Sequence, residues 1–244
     1  MNNKLTTKEF WVHGQYKFSR HVSHGIDIFI QQYIPQSKNG SCIEIGSYPG
    51  SHLPTFGDMG YKLNGIDFHP DNSKGLPAWL NSQNYKTGEF LSIDFFEFEA
   101  NQKYEVVASF GFIEHFINYK DVIAKQASIV STDGFLIITT PNFRGWIQYW
   151  LHNTFDKKNL ALHNTESMNP NEWKKLLKAS GFEIIYHGYF GGFWFWHGHE
   201  KLPDCKRKIL WIIERLIPRI RKLLWFQSPA FSAYAGIVAR KSVN

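Results

Sequence analysis

Four short apolar runs in the first half of the chain each end on an acid or a glycine turn. Residues 42–45 carry Glu44 and run into Gly46, residues 62–66 run into Asp67, residues 89–93 run into Asp94, and residues 104–110 lead to Glu114-His115. Apolar runs of this length, bounded by turn residues, read as buried strands. The stretches between them have room for helical crossovers, which parallel strands require and which cover both faces of a sheet. In open sheets of this kind ligands sit beyond the carboxyl ends of the strands. The four polar strand ends therefore fall on one rim, where a site is expected.

The flanking segments continue the pattern. Residues 19–34 read as a helix with Ile26, Phe29, Ile30 and Ile34 on one face, ended by Pro35. A helix is expected over 119–130 and a fifth strand over 134–140, closed by Pro141. Asn169 or Asn171 caps a helix over 170–179, with Gly181 past its end. Strands over 182–187 and 234–240 complete a seven-stranded, mostly parallel α/β sheet with helices on both faces. The expected organisation is one domain over 1–244. Its core covers about 19–188 plus the last strand, 231–241, and an aromatic and basic amphipathic insertion, 189–230, lies between the last two strands.

Composition narrows the function classes. With 43% hydrophobic and 20% charged residues the chain can bury a core. Two cysteines, Cys42 and Cys205, make no disulfide framework and suit a reducing cytoplasm. The first residues show no apolar leader, and no apolar stretch reaches spanning length. The net charge of +6 is concentrated in one place: residues 206–222 hold seven cations against one acid, Glu214. The rest is close to neutral, so the basic charge is a local stripe rather than a nucleic-acid face, and no nucleic-acid partner is expected.

The loop Glu44-Ile45-Gly46-Ser47-Tyr48-Pro49-Gly50 is an acid followed by spaced glycines. Gly46 permits a sharp turn and Gly50 lets the next helix approach the strand. Tyr48 and Pro49 make it a poor phosphate cradle, since a dinucleotide fold needs G-x-G-x-x-G with free backbone donors. Asp67, 17 residues after Gly50, can accept from two ribose hydroxyls. Phe68 follows Asp67, and Phe95 follows Asp94; the pair could flank an adenine.

Together with Ser109-Phe110-Gly111-Phe112-Ile113-Glu114-His115 and Thr140-Pro141-Asn142, these motifs resemble class I S-adenosylmethionine (SAM)-dependent methyltransferases with a Rossmann-like fold. The segment ending Glu114-His115 is similar to the small-molecule, ubiquinone-biosynthesis type. The resemblance covers about residues 40–142 and departs at Tyr48, where a glycine is usual. It implies SAM as cofactor, held by Glu44, Gly46, Ser47, Tyr48, Gly50, Asp67, Phe68, Asp94, Phe95, Ser109, Phe110, Glu114 and His115.

Methyl transfer from a sulfonium is an in-line displacement, and a hydroxyl acceptor usually also needs a general base. The candidates are His115 and, in the insertion 143–168, His163 and Glu166. An ordinary polar loop is the competing reading for the last two. No metal ligation is expected: His187, His197 and His199 show no ligand spacing. The Gly191-Gly192 aromatic stretch reads as a lid or an apolar wall. In the segment 206–226, Ile209, Ile213, Leu216, Ile220 and Leu223 recur at helical spacing among cations. This suits a helix lying on an anionic membrane, kinked by Pro218, or one covering the fold with a basic outer side.

The expected activity is O-methylation of a small molecule, glycan or lipid-linked intermediate, by a cytoplasmic enzyme peripheral to the inner face of the membrane. Three alternatives stay open: a nucleic-acid methyltransferase, weakened by the missing N/D-P-P-Y/F motif; a nicotinamide-dinucleotide oxidoreductase; and a non-catalytic membrane-attached scaffold of the same fold.

Overall fold

A computed structural model describes residues 5–6, 17–20, 25–198, 201–224 and 226–242. Seven strands form one sheet: β1 (Ser41–Ile45), β2 (Lys62–Asp67), β3 (Thr87–Ser92), β4 (Tyr104–Phe110), β5 (Val130–Pro141), β6 (Phe182–Phe193) and β7 (Ser232–Lys241). Their order is β3-β2-β1-β4-β5-β7-β6. The pairs among β1 to β5 are parallel, whereas β7 runs antiparallel to both β5 and β6. The order turns at β1/β4, where the chain crosses to the other side of the sheet. A crevice opens at such a switch point.

The helices are α1 (Gly25–Tyr33), α2 (Leu53–Asp58), α3 (Gly75–Ser82), α4 (Tyr119–Ser128), α5 (Trp146–Phe155), α6 (Lys157–Leu160), α7 (Pro170–Ala179) and α8 (Asp204–Leu223). Strand alternation divides the apolar residues between two cores. Ile43, Ile45 and Val107 pack with Val122 and Ile123 of α4 and Trp173 and Leu177 of α7. Cys42 and Val106 face the other way, against Phe29 and Ile30 of α1, Leu53 and Phe56 of α2, and Leu76 and Leu80 of α3. The ends of α7 follow local chemistry. Asn169 accepts a hydrogen bond from the Asn171 amide, Pro170 stands at the first helical turn, and Gly181 turns the chain at φ +80°.

A third apolar cluster lies outside the sheet. Leu151 and Phe155 of α5 pack with Leu210 and Ile217 of α8, Phe195 and Phe231. Gln148 of α5 donates to the carbonyls of Trp194 and Phe231, and Lys206 donates to Thr154 O. The insertions 143–168 and 189–230 thus form one joint appendage.

Two expectations change here. The Gly191-Gly192 stretch is the continuation of β6, which pairs with β7 as far as Phe193, and not a lid. The inward face of α8 consists of Leu210, Ile213, Ile217 and Ile220, while Ile209, Leu216 and Leu223 of the expected stripe are exposed. The helix has apolar residues on two faces, and packing against α5 selects the one that buries more. The helix continues through Pro218 as a single element.

Candidate active site

A pocket opens where the rim was expected, lined at the ends of β1, β2 and β4 and beyond β3. Gly46, Tyr48, Asp67, Phe68, Asp94, Phe95, Phe110 and His115 line it. Pro49, Ile66, His69, Gly111, Phe112, Phe116 and Thr6 also line it, and the expected binding set did not include them. Five of these, Pro49, Ile66, His69, Gly111 and Phe116, adjoin expected site residues, so a wider window around each strand end would have found them. Thr6 gives no signal in the sequence.

The turn after β1 is built for close approach. Gly46 has φ +77°, and a Cβ there would lie 2.6 Å from Phe112 Cδ2. The Asp67 carboxylate accepts from the backbone amides of His69 (2.8 Å) and Tyr48 (3.4 Å), which joins the ends of β1 and β2. Burial nonetheless pushes its pKa up to about 6, against those amides. The Tyr48 ring stacks on His69 at 3.6 Å between centroids. Asp94 accepts from the Phe96 amide at 3.0 Å.

Five of the expected binding residues, Glu44, Ser47, Gly50, Ser109 and Glu114, do not line the pocket. Ser47 is buried and donates to Asn72 Oδ1 at 2.7 Å. Ser109 is buried and donates to Gln126 at 3.1 Å. A Cβ at Gly50 would meet Leu76 at 2.3 Å, so its smallness serves the contact with α3. Glu44 is buried within β1, and its Oε2 has no hydrogen-bond partner among the described residues. Its pKa is raised by burial first, then by Asp27 and Asp67.

The histidines and Glu114 form a second constellation at the His115 end of the pocket. Glu114 and His115 sit on the 3₁₀ turn Ile113–His115 after β4, both buried. His163 arrives from the insertion, its ring centroid 4.8 Å from that of His115. Asn164 holds it there, donating its amide to Glu114 O (2.7 Å) and its side chain to Phe116 O (3.0 Å). Burial raises Glu114 to about 8. His115 falls to about 3 through burial and the neighbouring His163. Glu166, the other expected candidate, is exposed on the next turn and does not join the group. His187 contacts Lys174 at 3.2 Å and His197 pairs with Glu214 at 3.1 Å; His199 lies outside the described residues.

The pocket has two carboxylates, a glycine turn and aromatic walls, and none of its described lining residues is Lys or Arg. Those groups fit a cationic nucleoside and disfavour a pyrophosphate. The methyltransferase-domain family matches residues 18–187, which is more than half the chain. Solved structures share the fold. A candidate methyltransferase from Bacillus halodurans aligns with TM-score 0.63 and 14% identity, over 89% of this chain and 99% of that one. A SAM-dependent methyltransferase from Archaeoglobus fulgidus aligns at 0.55 and 17%, over 88% and 93%. The magnesium protoporphyrin IX methyltransferase of Synechocystis, solved with S-adenosylhomocysteine, aligns at 0.51 and 14%, over 88% and 78%. No curated protein sequence matches. The chain belongs to the methyltransferase-domain family, as a class I enzyme with SAM as its cofactor.

Proposed function

We propose that this enzyme methylates a hydroxyl of a small molecule, glycan or lipid-linked intermediate. The observation that carries the reading is His115 at one end of the pocket, with His163 and Glu114 beside it, where an acceptor would meet the methyl donor. SAM supplies an electrophilic methyl group on a sulfonium. Asp67 accepts from the ribose hydroxyls, and Asp94 with Phe68 and Phe95 surrounds the adenine. The Gly46 turn brings the backbone against the ligand. At the other end the buried His115 ring and the half-buried His163 ring exclude water and act on the acceptor's hydroxyl proton. Burial holds both rings in the neutral form that a base requires and also lowers their basicity.

The test is calorimetric titration with S-adenosylhomocysteine, followed by transfer from methyl-deuterated SAM into glycan and lipid extracts read by mass spectrometry. Micromolar binding with label in an O-methyl product is the expected result. Binding without label in any extract would favour the scaffold reading, and absence of binding by folded protein would overturn the function.

A second observation bears on where the acceptor is met. No described helix is long and apolar enough to cross a membrane. The outer face of α8 nevertheless exposes Ile209, Trp211, Ile212 and Leu216 at 40–56%. Trp146 and Trp150 of α5 are also exposed, at 72% and 54%. Cations of the 206–222 stripe lie among these apolar residues, and Arg215 covers the Trp211 ring at 4.6 Å. Apolar residues interleaved with cations fit an anionic bilayer. The protein is expected to co-sediment with phosphatidylglycerol vesicles and not with phosphatidylcholine vesicles. Trp211→Glu with Leu216→Glu should cut binding at least about tenfold. Equal binding to both vesicles, or a dimer that the double variant splits, would instead assign the face to another role.

A further inference from the structure

We propose that a groove between α1, the end of β6 and the end of α8 binds the phosphate and adjoining hydrocarbon of a lipid-linked acceptor. The groove has a volume of about 430 Å³. The inference rests on the O-methylation reading and deepens it by choosing the lipid-linked class among its acceptors. β7 runs antiparallel to both β5 and β6, so β6 points the same way as β4 and β5. The groove at the carboxyl end of β6 and the methyl-donor pocket therefore share one rim of the sheet.

Three observations carry it. First, an irregularity of β6 shapes the groove. The strand slips register against β7 between Phe190 and Phe193, with Gly191 at φ +86° and Gly192 at φ +63°. A Cβ at Gly192 would meet nothing within 4 Å, so the chain leaves space there. Second, the groove carries charge of one sign. Arg221 is the one charged residue among its described lining residues. Its guanidinium lies over the Trp194 ring at 5.2 Å and pairs with no carboxylate among the described residues. A guanidinium offers paired N–H donors that match a phosphate. Gln227 adds to them. Its Oε1 accepts from the Gly192 amide at 3.0 Å and from Ser232 Oγ at 3.2 Å, so its NH₂ group remains a donor. Third, Ile28, Phe190 and Leu224 supply apolar lining. Ile28 is 55% exposed, and Leu223, next to Leu224, is 75% exposed.

An apolar lining beside an unpaired cation suits an anion carried on a hydrocarbon stem. A free phosphate would leave Ile28, Phe190 and Leu224 wet, and a neutral lipid would leave the guanidinium without a partner. In a lipid-linked acceptor the phosphate joins the hydrocarbon to the group that is methylated. Holding that phosphate at Arg221 tethers the acceptor by a part that does not react, and its hydroxyl is presented along the rim toward His115. Arg221 and Leu224 also stand at the end of the helix whose outer face suits an anionic bilayer, where such an acceptor resides.

The experiment titrates the full chain by calorimetry with dodecyl phosphate below its micelle concentration, beside inorganic phosphate and dodecyltrimethylammonium. One equivalent of dodecyl phosphate should bind, roughly 100-fold tighter than either comparator, because only it satisfies both the cation and the apolar lining. Arg221→Gln and Ile28→Glu should each weaken it about tenfold or more, with S-adenosylhomocysteine affinity and circular dichroism unchanged. The Trp211→Glu, Leu216→Glu variant removes the outer face of α8 as a competing surface and should bind dodecyl phosphate as the unaltered chain does. Binding lost in that variant, binding that Arg221→Gln does not alter, equal binding of the cationic amphiphile, or none by the folded chain would each overturn the site. Dihexanoyl phosphatidylglycerol that competes as tightly as dodecyl phosphate would assign the groove to bulk phospholipid and overturn the acceptor claim. S-adenosylhomocysteine titrated in the same samples separates the two readings. Nucleoside binding without dodecyl phosphate binding sinks only the groove, and the reverse sinks the methyltransferase reading.

Discussion

Asp67→Ala should weaken S-adenosylhomocysteine binding about 100–1,000-fold with the fold intact, as read by calorimetry. A hydrogen bond to a charged group contributes about 1.5–3 kcal/mol, and two ribose hydroxyls are lost together. The same carboxylate predicts a pH dependence. In the unliganded protein burial holds Asp67 at about 6. Hydroxyl donors favour the ionised form, so binding is at full strength above that value. Below it each bound ligand must displace a proton, and affinity falls toward tenfold per pH unit. Asp67→Asn should be weak at every pH and lose the inflection. An affinity that stays level from neutral pH to well below 6 would show that this carboxylate does not meet the ligand.

Trp173→Ala should produce the largest loss of stability. The ring is fully buried between α7 and the sheet, and its indole N–H donates to Ser167 O at 2.6 Å. Truncating a buried Trp costs about 3–5 kcal/mol, and the abandoned carbonyl adds to it. For a chain of this size that lowers the melting temperature by roughly 8–16 °C. Trp173→Phe keeps most of the packing and should cost about 1–2 kcal/mol. The bond to Ser167 also anchors the segment that follows His163. Methyl transfer by Trp173→Phe should therefore drop more than S-adenosylhomocysteine binding does. Equal loss of both would show that the anchor does not reach the acceptor end.

The strands and α7 were legible because their causes are local. The apolar runs ending at Gly46, Asp67 and Asp94 have strand length, and Asn169, Pro170 and Gly181 bracket α7 where the structure has it. Boundaries at the sheet's far edge were not legible. The strand expected over 182–187 runs on to Phe193 because β7 offers it partners, which no local pattern announces. The short helices α2 and α3 and the helical character of 146–160 were also missed, since each is fixed by packing more than by periodicity.

The rim of acids and glycines, the parallel βαβ order and the unsuitability of the loop for phosphate were determined by the sequence alone. They depend on residue type and spacing along a few neighbouring positions. Tertiary structure decided the rest. Ser47 and Ser109 turn inward because Asn72 and Gln126, distant in sequence, accept their hydroxyls. Which apolar face of α8 is buried was settled by the surface that α5 presents. Glu114, His115 and His163 meet because Asn164 hydrogen-bonds across nearly fifty residues of chain. Contacts of that separation are set by the closed fold, and no periodicity in the sequence encodes them.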